Sequence, residues 1–176
     1  LGMSERSVTS QSTLSILRNV GLAIALILSV AGTCRAQSIA AFDRLAGQWS
    51  GSGTIDLSNG AHESIRCRAA YDVLNAQRKL QLNIRCASES FNIDLRASAD
   101  YSNGAITGNW GETNRGIAGT ITGRAEGDRF QVVARSSSFT ATLTLVTHGG
   151  RQSVTIRSHD NQASIKGVSI NLRRSS

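Results

Sequence analysis

The sequence predicts an all-β protein: an antiparallel up-and-down barrel of about eight to ten strands, entered through a short helix and preceded by a cleaved leader. Three observations predict it. Apolar and polar residues alternate along most of the chain after residue 46, the period of a half-buried strand. Proline is absent, while glycine occurs seventeen times. The breaks between alternating runs are Ser58-Asn59-Gly60, Asn103-Gly104, Asn114-Arg115-Gly116, Glu126-Gly127-Asp128, Gly149-Gly150 and Asp160-Asn161, turn chemistries that supply positive φ at low cost. Short connections make neighbouring strands antiparallel, and closing such a meander abolishes its exposed edges.

At the N-terminal side, Arg18 precedes the apolar run from Val20 to Val30, and a small-residue exit ends at Ala36, the build of a secretory signal peptide. The run falls short of the roughly 20 residues that span a bilayer, and no second long apolar run follows. Residues 1–36 are therefore expected to be removed. Residues 37–176 are expected to form one β-barrel domain, periplasmic or secreted and not an integral membrane protein. Cleavage there discards Cys34 and leaves Cys67 and Cys86 as a pair suited to an oxidising compartment. Lipidation of Cys34 is disfavoured by Thr33, where lipoprotein signals carry Gly, Ala or Ser.

Ser38 to Ala46, with Ile39, Phe42 and Leu45 at helical spacing, reads as a short helix before the first strand. Ten strand runs follow, at about 47–57, 63–73, 79–87, 90–101, 105–112, 116–125, 129–136, 138–147, 151–159 and 163–173. Register can be tested between the second and third. With Cys67 facing Cys86, Ala69 meets Ile84, Tyr71 meets Leu82 and Val73 meets Leu80, so every inward residue has an inward partner and a disulfide is expected. Around Asn103-Gly104 the same logic sets Tyr101 against Ile106, Ala99 against Gly108 and Ala97 against Trp110. The last run changes phase between Ile165 and Val168, which predicts a bulge at Lys166-Gly167.

The net charge of +7 falls to +5 once Arg6, Arg18, Arg35 and Glu5 leave with the leader. The basic residues are nearly all arginine, spread along the strands, and imply at most a weak contact with anionic envelope surfaces. Nucleic acid is not expected as a partner, since no basic stripe interleaves with aromatics. A transmembrane barrel is disfavoured because Arg66, Arg68, Arg85, Asp94, Arg96, Arg124, Arg129 and Arg135 oppose the apolar face. His62, His148 and His159 fall at strand ends without metal-ligand spacing, so neither a metal nor a cofactor is expected. Asp94 and Glu112, flanked by arginines, read as outward surface ion pairs, no catalytic motif is present, and an enzyme is not expected.

Gly-x-Trp occurs twice, as Gly47-Gln48-Trp49 opening the first strand and as Gly108-Asn109-Trp110 on the fifth. In this the chain resembles the calycin barrels (lipocalins, avidins and fatty-acid-binding proteins), where Gly-x-Trp near the start of the first strand lets an indole plug the closed end. That resemblance implies a basic residue packed across the indole, here Arg173 or Arg174. Thr107 to Glu112, Gly119 to Ala125 and Arg151 to Arg157 also resemble a family of small exported bacterial proteins with no assigned function, which implies no activity. Large inward residues mix with small ones such as Gly51, Ala97, Ala99, Ala134 and Ala141, and ten strands leave an interior wide enough for one apolar ligand. The sequence thus points to a binder of a small apolar or amphipathic molecule, lined by Trp49, Tyr71, Tyr101 and Trp110. A solid-cored protein-interaction module, an inhibitor or envelope accessory protein, is the alternative.

Overall fold

The computed structural model describes residues 41–75 and 78–175. The expected leader lies outside them, as do residues 38–40 of the expected helix. Ten strands, β1 (Gly47–Leu57), β2 (His62–Leu74), β3 (Lys79–Ala87), β4 (Asn92–Ser102), β5 (Ala105–Glu112), β6 (Ile117–Glu126), β7 (Arg129–Ser136), β8 (Thr140–His148), β9 (Arg151–Ser158) and β10 (Ile165–Arg174), pair antiparallel with their sequence neighbours. Pairing of β1 with β10 closes the barrel. The expected helix is, among the described residues, a single 3-10 turn at Asp43–Leu45.

The anticipated registers are present. Cys67 faces Cys86, and Ala69, Tyr71 and Val73 face Ile84, Leu82 and Leu80; Tyr101, Ala99 and Ala97 face Ile106, Gly108 and Trp110. Asn103 (φ 49°) and Gly104 (φ 85°) form the two-residue turn between β4 and β5, both with the positive φ that such a hairpin demands. On β10, Asp56 pairs with Gly167 and Leu57 with Ile165, so Lys166 is the extra residue of the bulge. Cys67 and Cys86 form a disulfide, with Cα atoms 4.1 Å apart.

Three strands start two residues later than the alternation predicts, and local hydrogen bonds explain two of them. Before β4, Ser88 N–H donates to the Phe91 carbonyl at 2.8 Å while Glu63 accepts from Ser88 Oγ and Ser90 N–H. Before β8, Ser136 N–H donates to the Phe139 carbonyl and Ser136 Oγ accepts from Ser138 and Phe139 N–H. Side chains that bond their own turns hold these residues out of the ladders. Inward glycines let the strands coil tightly: at Gly51 a Cβ would lie 1.9 Å from the Asn171 carbonyl oxygen.

Candidate functional site

Inward-facing apolar residues leave the barrel hollow. A cavity of about 280 Å³ runs along the interior, from Phe42 and Tyr71 through Leu143 and Ile156 to Trp110 and Phe139. Its wall is almost wholly carbon, and among the described residues no charged side chain contributes to it. Small side chains on the strands opposite create the space: Ala97 and Ala99 on β4, Ala134 on β7 and Ala141 on β8. The disulfide belongs to this wall through Cys86.

One end is plugged by the segment entering β1. Phe42 stacks on Phe130 with ring centroids 6.0 Å apart and meets Tyr101 edge-on at 6.1 Å. Trp49, 1% exposed, donates its Nε1–H to the Leu45 carbonyl at 2.7 Å and packs edge-on against Tyr71. The Arg174 guanidinium lies over the Trp49 ring, 4.5 Å from its centroid, and donates to the carbonyls of Ala46 and Arg44, the latter at 2.7 Å. Of the two arginines that the calycin resemblance offered for this place, Arg174 occupies it. Its five fixed donors allow stacking and carbonyl bonding at once.

Above the plug sits a buried polar chain. Tyr71 donates its hydroxyl to Gln152 Oε1 at 2.7 Å, and Gln152 Nε2 donates to Thr147 Oγ1 at 3.2 Å. Burial drives the Tyr71 phenol pKa up, only partly opposed by the Gln152 bond, so the hydroxyl remains a donor.

The opposite end holds the main departure from expectation. Asp94 does face outward, 3.2 Å from Arg85 Nε, but Glu112 points inward and is only 7% exposed. It shares a strand face with Trp110 and pairs with Leu95. Its carboxylate accepts the backbone N–H groups of Asp94, Asn114 and Arg115 at 3.0, 3.1 and 2.8 Å, with Arg115 Nη1 at 3.4 Å. Burial pushes its pKa up, and these three N–H donors together with the Arg115 charge outweigh it, holding the carboxyl below the usual range. Glu112 therefore ties the β5–β6 turn to β4 as a structural carboxylate. Arg115 extends the tie, lying 5.7 Å from the Phe91 ring centroid and donating to the Asn92 carbonyl at 3.3 Å.

The four aromatic residues singled out in the sequence are divided by the structure. Tyr71 and Trp110 are in the cavity wall; Trp49 and Tyr101 stand beside the plug, against Arg174 and Phe42. Trp110 packs on Phe139 at 5.4 Å, and its Nε1 is buried without a hydrogen-bond partner among the described residues. His62 pairs with Asp56 at 2.8 Å, His159 bonds Thr142 at 2.6 Å and His148 lies 3.7 Å from Asp128, all exposed. Among the described residues no group of three metal-ligating side chains converges, and no helix is long and apolar enough to cross a membrane.

Fold and interior together define a ten-stranded calycin-like barrel with an apolar hollow. No family model matches the chain, and no curated protein does; the resemblance to a family of small exported proteins gains no support. Among solved structures, the chain shares its fold with Rv2717c from M. tuberculosis (TM-score 0.64, 11% identity, covering 80% of this chain and 99% of that one). It also shares it with the S-type phycobiliprotein lyase CPES from Guillardia theta (TM-score 0.57, 9% identity, 77% and 90%). At such identities the likeness is one of fold. The second neighbour nevertheless corrects the expectation that this chain is no enzyme, which rested on missing motifs: a barrel of this architecture carries a lyase.

Proposed function

We propose that the chain is an exported barrel, periplasmic or secreted, that binds one small uncharged apolar molecule in its interior. The carbon-lined hollow of about 280 Å³ carries the reading. A dry apolar cavity of about 150 Å³ accepts benzene or xenon, so this one has room for a molecule of roughly ten heavy atoms. The wall offers no counter-charge, which narrows the expected amphipathic class to neutral molecules. Tyr71 and Trp110 touch the ligand, while Trp49 and Tyr101 hold the plug that keeps it from leaving at that end. The Val20 to Ala36 pattern supports export of a single domain from residue 37 onward. The Cys67–Cys86 disulfide agrees with a site outside the cytoplasm.

Titration with naphthalene, a neutral fluorophore of ten carbons that matches the hollow, tests this. Saturable one-to-one uptake by the folded protein, displaced by non-fluorescent cyclohexane, is expected. No uptake, or uptake undiminished after heat denaturation and clearing, refutes it.

A further inference from the structure

Arginines that are scattered along the sequence are aligned by the strand register. Arg151 on β9 pairs with Arg173 on β10, Arg173 pairs with Ser50 on β1, Ser50 pairs with Arg68 on β2, and Arg68 pairs with Arg85 on β3. Four guanidinium groups therefore stand in one cross-strand row on the outer face, all exposed. With neighbouring strands about 4.8 Å apart, the row covers four strand steps, roughly 19 Å of arc. Two of its steps, Arg151–Arg173 and Arg68–Arg85, set like charges directly opposite each other, an arrangement that disfavours the sheet. Of these four arginines, Arg85 alone has a carboxylate within ion-pair distance among the described residues, Asp94 at 3.2 Å. Short side chains such as Ser50, Ala70 and Ala87 leave a surface depression of about 840 Å³ beside Arg66, Arg68 and Arg85. A second, of about 420 Å³, lies beside Arg151 and Arg173.

We propose that this row is a docking track for a linear polyanion with closely spaced phosphate or carboxylate groups. The guanidinium fork matches either group bidentately. Repeated anions along one strand of polymer would relieve both like-charge pairs at once. The curvature selects a polymer over a lipid surface. The row follows the barrel circumference across five of its ten strands, so a flat bilayer meets only its middle, whereas a flexible chain wraps all four arginines. Ligand binding in the interior is not required, because all four side chains point away from the cavity.

The test uses the complete barrel with its disulfide intact, titrated with long-chain polyphosphate and, separately, with a polyuronate. Four neutralised charges give a log–log salt slope of roughly −2.8, or about a 50-fold loss of affinity between 50 and 200 mM salt. In the Arg68→Gln/Arg173→Gln variant the loss should shrink to about 7-fold. An Arg124→Gln/Arg129→Gln control, equal in net charge but on β6 and β7, should keep the parental slope. Tighter binding of one polymer names the source of the anions. The proposal is overturned if neither polymer binds, if the control variant loses as much as the row variant, or if anionic phosphatidylglycerol vesicles bind more tightly than both polymers with the same dependence on the row.

Discussion

Filling the hollow separates a ligand cavity from a solid core. Ala141 is 5% exposed, lies in the cavity wall and faces Ala134 across the β7–β8 pair. Ala141→Leu adds three carbons to the interior. At about 0.8 kcal/mol per buried methylene, placing them in empty space stabilises the fold by about 2 kcal/mol. For a domain of this size that raises Tm by roughly 6–8 °C. The same three carbons take up a sizeable part of the volume, so fluorophore affinity should fall at least tenfold while the unfolding m-value stays unchanged. Urea unfolding and fluorophore titration on one preparation read both effects. A destabilisation of about 1–3 kcal/mol, the usual cost of overpacking, would refute the reasoning, because the site would then already be full.

Three other outcomes follow from the same structure. Glu112→Gln should destabilise the protein by about 1–2 kcal/mol at neutral pH, since an amide oxygen replaces a carboxylate that three backbone N–H groups bond. The folded-state pKa is depressed, so this stability is in place above the ordinary carboxylate pKa and is lost as pH falls through the depressed value; urea midpoints of parent and variant should converge in acid. The Cys67→Ala/Cys86→Ala variant should lose about 3 kcal/mol, the chain-entropy value for a bridge across 19 residues, measured against the oxidised parent by urea unfolding. Gly51→Ala should be among the most damaging single changes, costing several kcal/mol or abolishing soluble expression, because its Cβ meets backbone rather than a movable side chain.

Much of the barrel was legible because strand alternation and turn chemistry are local signals. Asn103-Gly104 declared its hairpin, and the phase change between Ile165 and Val168 declared the bulge at Lys166. Cys67 and Cys86 agreed with the register of three flanking pairs, which a one-residue slip would have destroyed. Glu112 was misread because its charge and arginine neighbours suggested surface; the parity it shares with Trp110 carried the correct signal. No local signal showed that backbone N–H groups of a turn would satisfy its carboxylate inside the rim. The arginine row was out of reach for a different reason. Arg151 and Arg68 are aligned only through the β1–β10 closure, which joins the two ends of the domain. The plug is equally non-local, since Arg174 reaches residues about 130 positions earlier.

Xenon-pressurised crystals test the hollow most directly, since xenon enters dry apolar cavities and leaves charged or filled interiors alone. The expected result is ordered xenon inside the barrel between Tyr71 and Trp110, at lower total occupancy in Ala141→Leu crystals treated alike. An interior without xenon, packed by side chains or threaded by ordered water, would contradict it.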